Sequence, residues 1–426
     1  MMEIMNNLFY IKKKFLLSFF WSIIIFSFIL WLFALISNPR GEQLSLFFER
    51  TRNFWADATN VTGMIADRNP YFSNEKGSYP PLAYLLFYPL ILVSSTPEKI
   101  CYADNVYYYL YYYQPLWVLL FVVFLIIIVV AFYTLCFQQF RNYSVSNFDA
   151  IMTCIAFCLS YPMLYTIERG NILIVSMLAL SVFIFYYDSQ CKWKKECALF
   201  SLAISIGLKL SPAIFGVLLI QSKDWKALVR VICYSMFFLI FPFFFFNGGI
   251  YNLLQLINNL KYISEDLVAR SCIIGTGILP SCLKYFSFFV EKNGGTYTFS
   301  MILYILTEVL RFGISLLLFW GIFYLQEKWK MIMNLTIILL ILPKISFFYC
   351  VLYMVPFTVV FLNSLNEKNF IDKLLIYICL IMLYFVYRCP ISNYFDYNFA
   401  IPLLAFIACA YSIEAYIKKR KLKFFT

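Results

Sequence analysis

Histidine is absent from this chain of 426 residues. Its absence removes histidine zinc sites, Ser-His-Asp triads and histidine proton relays from consideration. There is also no C-x-x-C, no Walker sequence, no G-x-G-x-x-G and no D-x-D of the kind that holds a nucleotide-bound metal. These residues point to no metal and no cofactor. Charge is scarce too: Asp, Glu, Lys and Arg make up 13% of the chain, against about a quarter in soluble domains.

Apolar residues fill that space, at 63% of the chain with 21% aromatic. Crossing a hydrocarbon layer about 30 Å thick takes roughly 20 apolar residues per helix, and runs of that order recur from Leu16 to the C-terminal tail. The first run, 15–37 behind Lys12 to Lys14, is longer than a signal-peptide apolar region and has no clean small-residue cleavage site, so it reads as a retained first helix. The thirteen cysteines lie mostly inside apolar segments, where a thiol behaves as a small hydrophobe. No disulfide framework follows from them, and Cys272 and Cys282 are expected to stay as free thiols. The net charge of +12 is distributed by loop rather than gathered on one face, which argues for membrane topology and against nucleic acid.

Basic clusters at Lys12 to Lys14, Arg141, Lys192 to Lys195, Lys223 to Arg230, Lys328 to Lys330, Lys368 to Lys373 and Lys418 to Lys423 alternate with neutral or acid-containing loops. Placing the basic clusters in the cytoplasm puts both termini there and leaves the long polar stretches 38–114 and 247–300 external. The expected fold is all-α, a polytopic transmembrane bundle of about twelve membrane segments in one domain, 1–426. Spans are expected near 114–137, 148–166, 171–188, 229–247, 299–325, 372–388 and 398–416. The segment 82–93 is too short to cross and is expected to be a re-entrant or interfacial helix. Segments 197–221 and 331–363 each lie between two cytoplasmic clusters, so each must enter and return as a helical hairpin. Their turns carry Lys209 with Pro212, and Pro343 with Lys344.

A lysine at the tip of an apolar hairpin needs water, an acid or an anionic ligand; Lys209 and Lys344 are thus candidates for phosphate binding or for snorkelling to the interface. With histidine missing, proton removal needs a positioned carboxylate, and the external acids Asp57 and Asp67 are available. Asp57 falls in 54–66, whose apolar spacing suggests an amphipathic surface helix; taken alone, an isolated loop aspartate is better explained as a solvated charge or helix cap. Glu168, Arg169, Gly170 and Asn171 form a polar break too short for a free loop, either a tight turn or a place where Arg169 holds a lipid phosphate. Glu308 and Arg311, three apart on an apolar helix, can pair. The tyrosine-rich run 107–113 fits an interfacial aromatic belt.

Three segments, in order, resemble glycosyltransferase family 87, the polytopic polyprenyl-phosphate-mannose-dependent transferases of the GT-C superfamily. FWADATNVTGMIADRNPYF followed by SYPPLAYLLFYPL resembles the family's first external loop, in which an aspartate precedes an N-P-Y or D-P-Y turn and then Y-P-P-L. ERGNILIVSMLAL resembles its G-Q-x-N helix start, with Arg169 and Gly170 standing where glycine and glutamine are usual. GLKLSPAIFGVLLI resembles its L-K-x-x-P hairpin. Further on, PKISFFYCVLYMVP resembles a segment that commonly reads S-W-x-H-Y, with Phe347 and Tyr349 in the tryptophan and histidine places.

The resemblance implies a multi-pass plasma-membrane hexosyltransferase that works on the extracytoplasmic side. It would move a mannose-like sugar, with inversion, from a polyprenyl-phosphate donor to a glycan or glycolipid acceptor among membrane lipids. Asp57 would be the general base, with Lys209 and Arg169 near the donor phosphate and Lys344 a further phosphate candidate. Asp67, Glu168, Asn171 and Tyr349 remain additional site candidates. A surface-polysaccharide polymerase and a lipid-linked sugar transporter or flippase share many of these features and stay open as alternatives.

Overall fold

The computed structural model describes residues 20–25, 28–29, 55–66, 69–73, 76–93, 114–142, 146–271, 297–343, 348–364, 370–384 and 400–424. Asp67, the tyrosine run 107–113, Cys272, Cys282, Lys344 and Phe347 lie outside them. Among the described residues all regular structure is helical.

In chain order the helices are α1 (Ala56–Ala66), α2 (Pro81–Leu92), α3 (Pro115–Asn142), α4 (Asn147–Cys158), α5 (Tyr161–Arg169), α6 (Leu173–Tyr186), α7 (Lys192–Leu208), α8 (Val217–Gln221), α9 (Trp225–Ile240), α10 (Asn252–Ser271), α11 (Tyr297–Gly321), α12 (Lys328–Ile341), α13 (Met354–Ser364), α14 (Phe370–Tyr384) and α15 (Ala400–Phe424). Tighter 3-10 turns run over Ser211–Gly216, Phe241–Phe245 and Phe348–Tyr353.

Among the described residues three helical stretches are long and apolar enough to cross a membrane: Pro115–Asn142, Trp225–Phe245 and Ala400–Arg420. The chain is an integral membrane protein, and the remaining apolar helices among the described residues are short or bent segments rather than full straight crossings. The span expected at 148–166 is a pair, α4 and α5, bent by 45°. The break falls at Leu159 and Ser160, just ahead of Pro162, which cannot donate a backbone hydrogen bond and so sits in the first turn of a new helix. At 14 and 15 residues, α6 and α14 are shorter than the roughly 20 residues a straight crossing needs.

Crossing helices show which face meets protein. Along α3, Trp117, Phe121, Leu125, Ile128, Phe132 and Cys136 are buried, at the three- and four-residue spacing of one helix face. Leu116, Leu119, Leu120, Val123, Ile126, Ile127 and Val130 are exposed, as suits a surface against lipid tails.

Both hairpins form. Asp224, following α8, pairs with Lys195 at the start of α7 at 2.5 Å, so the chain returns to the end from which it entered. Likewise the Trp329 ring near the start of α12 lies 4.9 Å from Phe361 near the end of α13. At this same end Lys328 pairs with Asp188 at 2.8 Å, and Arg230 pairs with Glu196. The basic segments around Lys195, Lys223 to Arg230 and Lys328 thus meet at one end of the bundle. Helices α6 and α7 run away from it for 14 and 17 residues, about 20 to 25 Å at 1.5 Å per residue, and place Asn171 and Lys209 at the far end.

Candidate active site

Helix α1 brings Asp57 to that far end. It is not the surface helix its spacing suggests: Ala56, Ala58, Thr59, Val61, Thr62 and Ile65 are all buried. Thr59 and Thr62 donate to the α1 backbone, to Ala56 at 3.0 Å and Ala58 at 2.7 Å, so their hydroxyls can be enclosed without outside partners. The chain enters α1 through Trp55, in the left-handed region at φ 55°. The Trp55 amide donates to the Glu168 carbonyl at 2.6 Å, which docks the start of α1 on the last turn of α5. Asp57 lies in the first turn of α1, where the helix dipole favours an anion.

Its partners come from the turn between α5 and α6. That turn ends α5 with Gly170 in the left-handed conformation, φ 62° and ψ 33°, and with the Asn171 amide donating back to the Thr166 carbonyl at 3.1 Å. A Cβ at position 170 would sit 2.9 Å from the Ala58 Cβ and 3.0 Å from the Phe121 ring, so α1 and α3 approach the turn closely because glycine is there. Arg169 and Asn171, on either side of Gly170, both reach Asp57. Arg169 Nη2 donates to Oδ1 at 2.6 Å and Nε to Oδ2 at 3.4 Å, while Asn171 Nδ2 donates to Oδ2 at 2.7 Å. The Asn171 side-chain oxygen accepts from the Leu173 amide at 2.9 Å, at the start of α6, which fixes the orientation of its amide. The two charged side chains keep 15% and 23% exposure, enough for a ligand to reach them.

Tyr79 closes one side. Its backbone is held by two buried tyrosines: the Tyr79 amide donates to the Tyr84 hydroxyl at 3.3 Å, and the Tyr71 hydroxyl donates to the Tyr79 carbonyl at the same distance. Its own hydroxyl lies 3.4 Å from Asn171 Nδ2. Burial, together with the Asp57 carboxylate, pushes the Tyr79 phenol upward in pKa, so it stays protonated and can donate.

Lys209 ends α7, where the backbone turns extended ahead of the 3-10 turn at Ser211–Gly216. Its Nζ donates to Cys350 Sγ at 3.3 Å and stands 5.4 Å from the centre of the Tyr349 ring. Tyr349 stacks on Tyr165 with centroids 6.3 Å apart and is within electrostatic range of Tyr79, Asp57 and Arg169. Beneath them Tyr353 and Ser205 bond to the Ser176 hydroxyl at 2.8 and 2.9 Å, joining the hairpin turns to α6. The arrangement sets a carboxylate against Arg169, with a second cation, Lys209, over the neighbouring Tyr349 ring: a base for a hydroxyl and positive charge for an anion.

Of the sequence candidates, Asp57, Arg169, Asn171, Lys209 and Tyr349 come together. Glu168 is fully buried, and its carbonyl holds the Trp55 amide. Asp67 and Lys344 fall outside the described residues. Glu308 and Arg311 do pair, and Arg311 also donates to the Leu342 carbonyl at 2.6 Å, a tie between α11 and the end of α12. Tyr79, Tyr165 and Cys350 are not among the sequence candidates. Tyr79 stands in the S-Y-P-P segment, while Tyr165 lies one helical turn before Arg169.

The family model described as "Glycosyltransferase family 87" matches residues 78–343, more than half of the chain. No curated protein and no solved structure matches. The matched residues include Tyr79, Arg169, Asn171 and Lys209; Asp57 lies 21 residues before them and Tyr349 six after. With the helical membrane fold and the family match together, the chain belongs to glycosyltransferase family 87 and is a membrane glycosyltransferase.

Proposed function

We propose that this transferase moves a mannose-like hexose from a polyprenyl-phosphate donor to a glycan or glycolipid acceptor, with inversion, at the extracytoplasmic face of the plasma membrane. Asp57 is the general base and takes the proton of the acceptor hydroxyl as that oxygen attacks the anomeric carbon. The bond from that carbon to the phosphate oxygen breaks on the opposite face, its electron pair leaving with the polyprenyl phosphate. Arg169 and Lys209 stabilise the charge that collects there. Asn171 donates to Asp57 and aims it while also donating to the Tyr79 hydroxyl, and Lys209 stands over the Tyr349 ring.

The observation that carries this reading is the meeting of Asp57 with Arg169 and Asn171 in one accessible cluster beside Tyr349 and Lys209. The cluster lies opposite the basic loops, which supports an extracytoplasmic site.

Transfer from a polyprenyl-phosphate hexose by purified wild-type and Asp57→Asn protein tests the chemistry. Activity should be lost while folding and insertion persist, and equal activity in the two proteins would refute the base. Cysteine labelling in intact cells tests the sidedness: positions 57 and 251, the second well exposed, should react without permeabilisation, and positions 194, 226 and 421 only after it.

A further inference from the structure

Asp57 and Arg169 occupy each other. The carboxylate accepts two hydrogen bonds from the guanidinium and one from Asn171. Together they engage three of the roughly four acceptor sites of the carboxylate. Arg169 in turn directs Nε and Nη2 at Asp57, and these are donors a phosphate would need. Paired in this way, the carboxylate keeps little capacity to accept from a hydroxyl, and the guanidinium edge turned toward Asp57 is closed to a phosphate.

We infer that the donor's phosphate displaces the Asp57 carboxylate from Arg169, so that the base is released only when the sugar to be transferred is in place. This inference rests on the proposed function and adds an order to it: donor first, acceptor second.

Three features of the site favour such an exchange. A phosphate matches the guanidinium fork as well as a carboxylate does and brings at least equal charge, so it can replace Asp57 without leaving Arg169 unpaired. Arg169 closes α5 and retains 23% exposure, so its head group can turn toward an incoming ligand. Asn171 cannot follow, because its side-chain oxygen is tied to the Leu173 amide at the start of α6. Asp57 would therefore keep the 2.7 Å bond from Asn171 that aims it, and lose only the cation that neutralises it. Lys209, held by Cys350 and the Tyr349 ring on the other side, adds a second positive charge for the phosphate.

A binding experiment separates this exchange from simpler electrostatics. Wild type, Asp57→Asn, Arg169→Gln and the double variant are placed in nanodiscs and titrated with a short-chain polyprenyl phosphate, with the uncharged polyprenol as control. Removing Asp57 should free Arg169 and tighten polyprenyl-phosphate binding about three- to fivefold, the upper part of the range of a partly exposed ion pair converted to affinity. Polyprenol binding should not change. Removing a negative charge also relieves repulsion, so the double variant is decisive: once Arg169 is glutamine, Asp57→Asn should tighten binding less than about twofold, because no pair is left to break.

Equal tightening in both backgrounds, or none with Arg169 present, overturns the exchange while leaving the phosphate site intact. If wild type itself fails to distinguish polyprenyl phosphate from polyprenol, the donor-phosphate reading of the cluster falls, and the exchange falls with it. Thermal unfolding checks each variant, and Asp57→Ser takes the place of Asp57→Asn if the latter does not fold.

Discussion

Gly170→Ala is the most informative change to the scaffold of the site. The backbone there has φ 62°, in the left-handed region, which costs a residue with a Cβ about 1–2 kcal/mol. The new methyl group would also stand 2.9 Å from the Ala58 Cβ and 3.0 Å from the Phe121 ring. Both neighbours are fully buried, so relief requires moving α1 or α3, and overpacking of this kind typically costs about 1–3 kcal/mol. The total destabilisation is about 2–5 kcal/mol. Gly249 provides the control: it too has positive φ, 52°, but nothing lies within 4 Å of the place its methyl group would take. Gly249→Ala should therefore lose only the backbone contribution, about 1–2 kcal/mol. The assay is denaturant or thermal unfolding of both variants in the same membrane mimic, followed by tryptophan fluorescence. Because Ala58 adjoins Asp57, Gly170→Ala should also lower transferase activity in the fraction that remains folded, whereas Gly249→Ala should not. Equal destabilisation of the two variants, or a neutral Gly170→Ala, would show that α1 does not pack on this turn as described.

Further expectations concern other parts of the molecule. Lys209→Met keeps the stem and removes the charge; it should lower kcat by about tenfold or more, about 1.4 kcal/mol of transition-state stabilisation or greater, and a donor titration with unchanged kcat and KM would exclude a phosphate role. Asn259 donates to the Tyr71 and Gly77 carbonyls at 2.8 and 2.9 Å, so Asn259→Leu should strand both and speed hydrogen exchange across 69–79 relative to wild type. Asp224 caps α9 through the Ala227 amide at 3.1 Å; its hydrogen bond to Lys195, followed by that amide, holds its pKa below the ordinary value. A depressed folded-state pKa adds stability that is complete above the unfolded aspartate value near 3.9 and fades as pH falls through the folded value. The stability gap between wild type and Asp224→Asn should accordingly be constant from pH 7 to about 5 and close below about pH 4; a gap independent of pH would contradict the ionised cap.

The outline of the fold was legible because it depends on length and charge, which sequence displays directly. A hairpin between two basic clusters must return to the side it left, and that argument anticipates the turn after α7 and the one after α12 without any knowledge of packing. The number of full crossings was less legible. Apolar run length does not distinguish a straight span from a short or bent helix, and α4 with α5 shows how Pro162 divides one run into two helices. The surface location expected for α1 fails for a related reason. Its pattern of Ala, Thr and Val resembles an amphipathic helix when threonine is counted as polar, yet a threonine that bonds to its own helix can be buried on any face.

The site was legible in its parts but not in its assembly. Arg169 and Asn171 stand out because a four-residue polar break between apolar helices needs a reason, and Asp57 stands out because few other groups could serve as a base in a chain without histidine. That 112 residues of chain return Arg169 to Asp57 could not be inferred from periodicity. In water the apolar face of a helix marks its partner side; in lipid both faces are apolar, and the contact surface is chosen by size and shape. Phe121 and Trp117 are buried in α3 while Leu119 and Leu120 face outward, a division that hydropathy does not encode. Tyr79 is hidden on the same grounds, since a tyrosine before two prolines reads as loop. Its importance comes from Tyr71 and Tyr84, which hold its backbone from both sides, and from Asn171, to which it presents its hydroxyl. A polar group on an irregular segment of a membrane protein should therefore be weighed by what fixes its backbone, because a fixed phenol beside a carboxylate can orient chemistry while a loose one cannot.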